Sequence, residues 1–132
     1  MFEQKVVVRF KDGRTLSGFG DGFLAGEREI LVQDMQEAIH RVDLTQVKMV
    51  CFVRDFGSDP AETHRSPGKV LYQAVPGTRV RVVFRDGEVL EGVSTLHSRP
   101  TGGFFLTPLN PHANNLSLYV NMDEVVSFRF LD

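Results

Sequence analysis

The chain has 132 residues, of which 42% are hydrophobic and 24% charged, a composition typical of a soluble globular protein with one domain or two very small ones. The formal net charge is −2 and no segment is basic, so the composition argues against general attraction to nucleic acid. A single cysteine excludes an internal disulfide framework, and the lack of an apolar leader or a long apolar run predicts a cytoplasmic protein without membrane contact.

The chain begins with two predicted strands joined by a tight turn. Val6, Val8 and Phe10 alternate with the residues between them, a period of two that places one face of a strand inward. Asp12-Gly13 then predicts a hairpin with a primed turn, because Gly accepts the positive φ that such a turn requires. Gly18 is expected where the second strand bends sharply or lets another backbone approach closely.

Three further strands complete the first unit, which we place at residues 1–56. The segments "EILVQ" and "AIHRV" predict the third and fourth strands, the polar "DLTQV" predicts a turn, and "KMVCFV" predicts the fifth strand. No stretch has the period of a helix.

Residues 57–68, "GSDPAETHRSPG", predict a linker because they are rich in Gly, Pro, Ser and charge. The following "KVLYQAV", residues 69–75, is consistent with an extra strand leading into the second unit or with one bridging the two units. The sequence leaves both arrangements open.

The second unit, placed at residues 69–132, repeats the first. At an offset of 74, seven positions of the first hairpin return as Val80, Val82, Phe84, Asp86, Gly87, Leu90 and Gly92. After a longer loop the offset becomes 78, so that Val42, Val47, Phe52 and Val53 meet Val120, Val125, Phe130 and Leu131. The segments "GFFLTP", "LSLYV", "NMDEV" and "VSFRFL" supply the matching strands and turn. We therefore predict an all-β protein made of two tandem five-stranded small β-barrel units from an internal duplication.

The outer face of the last strand differs between the two copies. Met49, Cys51 and Val53 form an apolar second face in the first copy, where the second has Ser127, Arg129 and Leu131. An apolar second face is typical of a strand that is covered on both sides. We expect the three residues to pack against the second copy, the bridging segment or another chain, and a homodimer is one such arrangement.

Each unit resembles the Sm-like small barrels in its order of strand, Asp-Gly turn, glycine-bearing second strand and polar turn before the last strand. The resemblance implies RNA binding through an Asn in the loop after the second strand and an Arg-Gly turn. Neither "GDGFLAGE" nor "STLHSRPTG" contains Asn, and neither predicted polar turn contains Arg-Gly. The phrases "VVVRFKDG", "VKMVCFVRDF" and "GGFFLTPLNPHANNLSLYV" are also similar to those of an uncharacterised bacterial family of duplicated β units.

Cyclic-dinucleotide binding is a further alternative, because part of the PilZ-barrel signature is present. Arg81 and Arg85 fit its spaced arginines, and Asn115 and Ser117 begin its second motif, but Val120 stands where that motif has Gly. Arginines spaced by four on a strand also simply share one solvated face.

Two loops that are longer in the second copy are the candidate recognition surface. The segments "SRPTGG" and "NPHANN" have polar side chains that the fold does not obviously require. The alternative is that these residues only form turns. The candidate residues are Arg99, Asn110, His112, Asn114 and Asn115.

The sequence contains no nucleophile–base pair, metal-ligand spacing or cofactor motif, so we predict a protein that is not an enzyme and uses no cofactor. The leading hypothesis is a cytoplasmic binding or regulatory module whose partner is another protein. RNA binding and sensing of a small ligand are the alternatives.

Overall fold

The computed structural model describes residues 3–23, 26–56, 77–109 and 113–131, which form ten β-strands and two short 3₁₀ turns. The prediction of an all-β protein is confirmed. The predicted linker, 57–68, and the segment 69–75 lie outside the described residues. The strands are β1 Gln4–Phe10, β2 Thr15–Gly20, β3 Glu29–Gln33, β4 Ile39–Asp43, β5 Val47–Val53, β6 Thr78–Phe84, β7 Val89–Ser94, β8 Gly103–Pro108, β9 Asn115–Asn121 and β10 Val125–Leu131.

All ten strands belong to one antiparallel sheet in the order β10-β6-β7-β8-β9-β5-β1-β2-β3-β4. The first half has the order β5-β1-β2-β3-β4, and the second half repeats it as β10-β6-β7-β8-β9. The halves join where β5, the last strand of the first half, pairs with β9, the fourth strand of the second.

The predicted closure of each unit into a small barrel is wrong, because the sheet is open. A barrel has no free edge, since its first and last strands pair with each other. Here β5 pairs with β1 on one side and with β9 on the other, so both of its edges are used. Among the described strands, β4 pairs only with β3, and β10 pairs only with β6.

The two Asp-Gly hairpins share one turn, which is not the predicted primed type. The amide of Gly13 donates to the carbonyl of Phe10, and the amide of Phe10 donates to the carbonyl of Arg14. Gly13 has a φ of 93°, whereas Asp12 does not have the positive φ that a primed turn of Asn-Gly type requires. The loop is therefore a type I turn followed by a left-handed glycine. Gly87 occupies the same position in the second hairpin, with a φ of 91°.

The curled sheet encloses two hydrophobic cores, and β5 contributes to both. Val50 and Phe52 point into the core of the first half, which includes Val6 and Val8 of β1. The alternate residues of β5 point into the core of the second half. All seven residues of β5 are buried, so this strand is the wall that the two cores share.

Gly18 and Gly92 lie where the second strand of each half crosses close to the third, as predicted. A Cβ added to Gly92 would lie 2.5 Å from the carbonyl oxygen of Thr107 and 2.7 Å from Cγ of Leu106. A Cβ on Gly18 would overlap the carbonyl oxygen of Gln33 in the same way. Glycine at these positions lets two backbones approach more closely than any side chain allows.

We expect Gly92→Ala to lower the free energy of unfolding by about 2 kcal/mol, because the backbone of β8 must move to admit the methyl group. Gly102→Ala is the matched control, since a Cβ there meets nothing within 4 Å. Urea denaturation of both variants is the measurement. Equal stability of the two variants would contradict the close-approach explanation.

Candidate functional site

The structure describes three of the five loop residues that the sequence suggested for recognition. Asn110 and His112 lie outside the described residues. Arg99 is exposed in the loop between β7 and β8. Asn114 and Asn115 lie at the start of β9, where this strand meets the end of β5.

Asn114 is held in a clasp with the chain that follows β5. Its carbonyl accepts a hydrogen bond of 2.8 Å from the amide of Arg54. Its side chain accepts from the amide of Asp55 at 3.0 Å and donates to the carbonyl of Asp55 at 2.9 Å. These bonds extend the pairing of β5 with β9 beyond the strands, so the polar atoms of Asn114 have a structural role.

The apolar second face of β5 is covered by the second half of the same chain. Met49 is 1% exposed, and Cys51 and Val53 are each 6% exposed. All three belong to the core of the second half, whose other members include residues of β6, β7, β8 and β9. This face is therefore an internal contact between the halves and offers no surface to a second chain.

The PilZ-like arginines are engaged within the fold. Arg81 pairs with Glu91 at 2.6 Å, and Nε of Arg85 donates to the carbonyl of Asp123 at 2.9 Å. Asn115 and Ser117 are on β9, which is not a neighbour of β6 in the sheet. The two parts of the signature are thus on different strands that do not pair.

A cluster of four charges joins the halves on the side of the β6–β7 turn. Both terminal nitrogens of Arg9, on β1, donate to the carboxylate of Glu88 at 3.0 Å. Lys48, on β5, contacts the same carboxylate, donates to Asp86 at 2.7 Å and lies 4.6 Å from the ring centroid of Phe84. The side chain of Lys48 is 6% exposed, so its charge is compensated almost entirely by these partners.

The two cations determine the ionisation of the cluster. Burial by itself would raise the pKa of Glu88, but the hydrogen bonds and charges of Arg9 and Lys48 outweigh it and lower that pKa below its ordinary value. The hydrogen bond from Lys48, helped by the backbone amide of Glu88, likewise lowers the pKa of Asp86. Both carboxylates are held in the charged form near neutral pH. The arrangement is that of a structural ion cluster and provides no group suited to general acid–base chemistry.

A cleft of about 510 Å³ opens at the seam between the halves. Its apolar wall includes Phe23, Phe52 and Phe105, whose rings lie 5.3 to 6.5 Å apart between centroids. The cations at its rim have structural contacts: Lys5 donates to the carbonyl of Arg54, and Nε of Arg54 donates to the carbonyl of Ala113. The cleft therefore presents an apolar aromatic wall, and both cations at its rim are engaged within the fold.

The edge strand β10 is the surface best suited to binding in the described part of the chain. It has seven residues, pairs on one side with β6, and has no described neighbour on the other. Val126 is 57% exposed and Phe130 is 40% exposed. Phe128 connects this edge to the core, since its ring packs edge-on against both Phe104 and Phe130. Long apolar edges of this kind are the ones on which other chains form strands.

The other edge, β4, has features that discourage pairing. It has five residues, and its sequence "IHRVD" is dominated by polar and charged side chains. Arg41 is paired across the sheet with Glu29 at 2.7 Å. Short length and charge are common means by which natural sheets protect an edge.

The sequence predicted β10 as a strand but did not single it out as a candidate binding surface. The repeat aligns Phe130 with Phe52, which predicts a core residue, and Phe52 is indeed 7% exposed. Phe130 differs because, among the described strands, β10 has no second neighbour like the one that covers its counterpart. That difference depends on which strands pair, and the alignment of the two copies does not contain this information.

Within the described ranges, no group of three or more His, Cys, Asp or Glu side chains is placed to hold a metal ion. The described residues also include no helix of the length and apolarity needed to cross a membrane.

One protein-family model, described as a family of unknown function (DUF6982), matches residues 2–132 of the chain. No curated protein and no solved structure matches the chain. The expectation of an uncharacterised family is confirmed by this match, whereas the resemblance to Sm-like barrels receives no support.

We expect Cys51 of the native protein to react with a thiol reagent only as fast as the protein unfolds. Burial raises the pKa of its thiol to about 12, and the side chain lies in the core of the second half. Labelling with and without denaturant, followed by mass spectrometry, is the measurement. Rapid modification of the folded protein would show that the second half does not cover β5.

We expect Glu88→Gln to lower the free energy of unfolding by about 2–3 kcal/mol, because it leaves two buried or half-buried cations without their shared carboxylate. Glu29→Gln is the matched control, since it removes only the exposed pair with Arg41, and exposed ion pairs contribute little to stability. Denaturant unfolding near neutral pH measures both.

The same variant also tests the pH dependence. The pKa of Glu88 is lowered by folding, so its contribution is present above the ordinary glutamate pKa of about 4.3. This contribution is lost as the pH falls through the lower folded value. The stability of Glu88→Gln should therefore fall less on acidification than that of the native protein. Parallel curves for the two proteins would exclude this role for Glu88.

Proposed function

The chain belongs to the family of unknown function DUF6982, and we propose that it is a non-enzymatic binding module that takes up an extended segment of a partner protein along β10. The observation that carries this proposal is the difference between the two homologous strands. β5 has a hydrogen-bonded neighbour on each side, whereas β10 has one neighbour among the described strands. Addition of a strand at β10 would give it the environment that β5 already has.

The chemistry of β10 supports this mode of binding. An added strand forms backbone hydrogen bonds that supply affinity and are largely independent of sequence, and its alternate side chains supply specificity. Phe130 and Val126 are large apolar side chains that an added strand would remove from water. Burial of an aromatic side chain at the centre of an interface commonly supplies a large share of the binding energy.

The buried thiol and the charge cluster between the halves both have structural contacts, which favours binding over catalysis. Cys51 is buried with a raised pKa, and the cluster around Glu88 pairs each cation with a carboxylate. The alternative of RNA binding leads to a different outcome in the experiment below.

We expect Phe130→Lys to weaken capture of the partner roughly tenfold, because it removes the aromatic anchor from the edge. Its matched control is Ile39→Lys on the opposite edge strand, where the native side chain is 56% exposed. The tagged native protein and both variants are compared in pull-downs from native lysate with and without nuclease, with quantification by mass spectrometry. Denaturation curves verify that each variant is folded.

The proposal requires a protein that survives nuclease treatment, is retained by Ile39→Lys and is lost with Phe130→Lys. Equal recovery with both variants would place the binding surface elsewhere. Loss of every partner on nuclease treatment would overturn the proposal and favour RNA.

A further inference from the structure

The outer face of β10 and its neighbour carries a stripe of arginines. In the register of β6 and β10, Arg129 lies directly opposite Arg81. Arg79 lies two residues along β6 on the same face, and the side chains of Arg79 and Arg81 are 47% and 42% exposed. Among the described residues, one carboxylate on the next strand, Glu91, serves both of them, at 3.9 and 2.6 Å.

Arg129 is the arginine of this stripe that does not form an ion pair with Glu91. Glu91 is on β7, on the far side of β6 from β10. No ion pair joins Arg129 to a carboxylate within the described residues, although it directly faces Arg81 across the strands. Like charges at directly opposed positions destabilise an antiparallel pair, and a carboxylate alongside relieves the repulsion. Within the described part of the sheet, the position that remains for such a carboxylate is on the side of β10 that faces away from β6.

The inner face of β10, on the other side of the sheet from Arg129, is apolar. Phe128 and Phe130 flank Arg129 in sequence and point to the other face of the sheet, where their rings lie 5.1 Å apart between centroids. A strand added antiparallel to β10 would place one residue beside Arg129 on the outer face and its two neighbours beside the phenylalanines on the inner face.

We propose that the partner segment is an extended strand in which an acidic residue, seated beside Arg129, stands between apolar residues that pack on Phe128 and Phe130. This inference rests on the proposed function and specifies the partner class for that same edge. A protein segment that alternates apolar and acidic residues fits both faces of β10 simultaneously.

A second copy of the chain does not fit this description. The internal junction pairs Cys51 with Leu118, and the repeat offset of 78 converts this pair into Arg129 and His40. If β10 took β4 of another copy in the same register, Arg129 would face His40 and Phe128 would face Arg41. His40 would then add a basic side chain to a stripe that already has too few carboxylates, and Arg41 would lie against the apolar inner face.

A junction between β10 and β4 of two copies would also lack a hydrogen bond that stabilises the internal junction of β5 with β9. The side-chain amide of Asn121 donates to the carbonyls of Leu44 and Val47 at 3.2 and 2.8 Å. The corresponding residue of the first half is Asp43, and an ionised carboxylate cannot donate to a carbonyl oxygen. The pairing of β5 with β9 is therefore not reproduced between copies.

The test uses three synthetic peptides of the length of β10 in which valine alternates with glutamate, glutamine or lysine. Binding to the full chain is measured by fluorescence anisotropy at low salt, and hydrogen exchange detected by NMR locates the contact. The glutamate peptide should bind roughly tenfold more tightly than the glutamine peptide and protect amides of β10, with the lysine peptide weakest. Added salt should reduce this difference.

Arg129→Glu should reverse the order and favour the lysine peptide, because it changes the sign of the charge beside the added residue. Arg41→Glu is the matched control on the other edge and should leave the order unchanged. Arg129→Gln, which should remove the preference without reversing it, provides a second variant.

The possible failures are distinguishable. If the three peptides protect β10 with equal affinity, or if Arg129→Glu leaves their order unchanged, the acidic partner class is wrong while the proposed function stands. If none of the peptides protects β10, the proposed function itself is contradicted. If the chain alone self-associates and its β10 amides become protected as its concentration rises, the partner is a second copy and the inference is overturned.

Discussion

The structure depends on the burial of β5 on both faces and at both edges. Its alternate side chains enter two different cores, so Val50 and Phe52 stabilise the first half while Met49, Cys51 and Val53 stabilise the second. A strand in this position must be apolar throughout, as its sequence "VKMVCFV" is at every position except Lys48. The exception is satisfied by Asp86 and Glu88 of the other half.

Several polar contacts fix the halves in one register around this strand. The side-chain amide of Asn121 donates to the carbonyls on either side of the turn before β5. The side chain of Asn114 forms hydrogen bonds with the chain that follows β5. Arg9 and Lys48 reach the hairpin turn of the second half. Hydrophobic burial alone is not directional, whereas these hydrogen bonds specify which residues of β9 and β5 lie opposite each other.

The two halves differ most clearly in their last strands, β5 in the middle of the sheet and β10 at its edge. β10 is the counterpart of β5, but Ser127 and Arg129 replace Met49 and Cys51, so its outer face is polar where that of β5 is apolar. Phe130 retains the aromatic character of Phe52, but no described strand covers it in the way that β9 covers Phe52. The proposed binding edge thus follows from a repeated strand that shares the inner chemistry of its counterpart but has no second neighbour among the described strands.

The sequence by itself determined the strands, the repeated hairpins and the crowded glycines, because side-chain alternation and the absence of a Cβ act over a few neighbouring residues. It did not determine the turn type, since Asp-Gly is compatible with both a primed turn and a type I turn followed by a left-handed glycine. Only the tertiary structure decided that the sheet is open and that β5 pairs with β9. Backbone hydrogen bonds are nearly the same for every pair of strands, so the choice of neighbour depends on how distant surfaces fit. The exposure of Phe130 is a consequence of that choice.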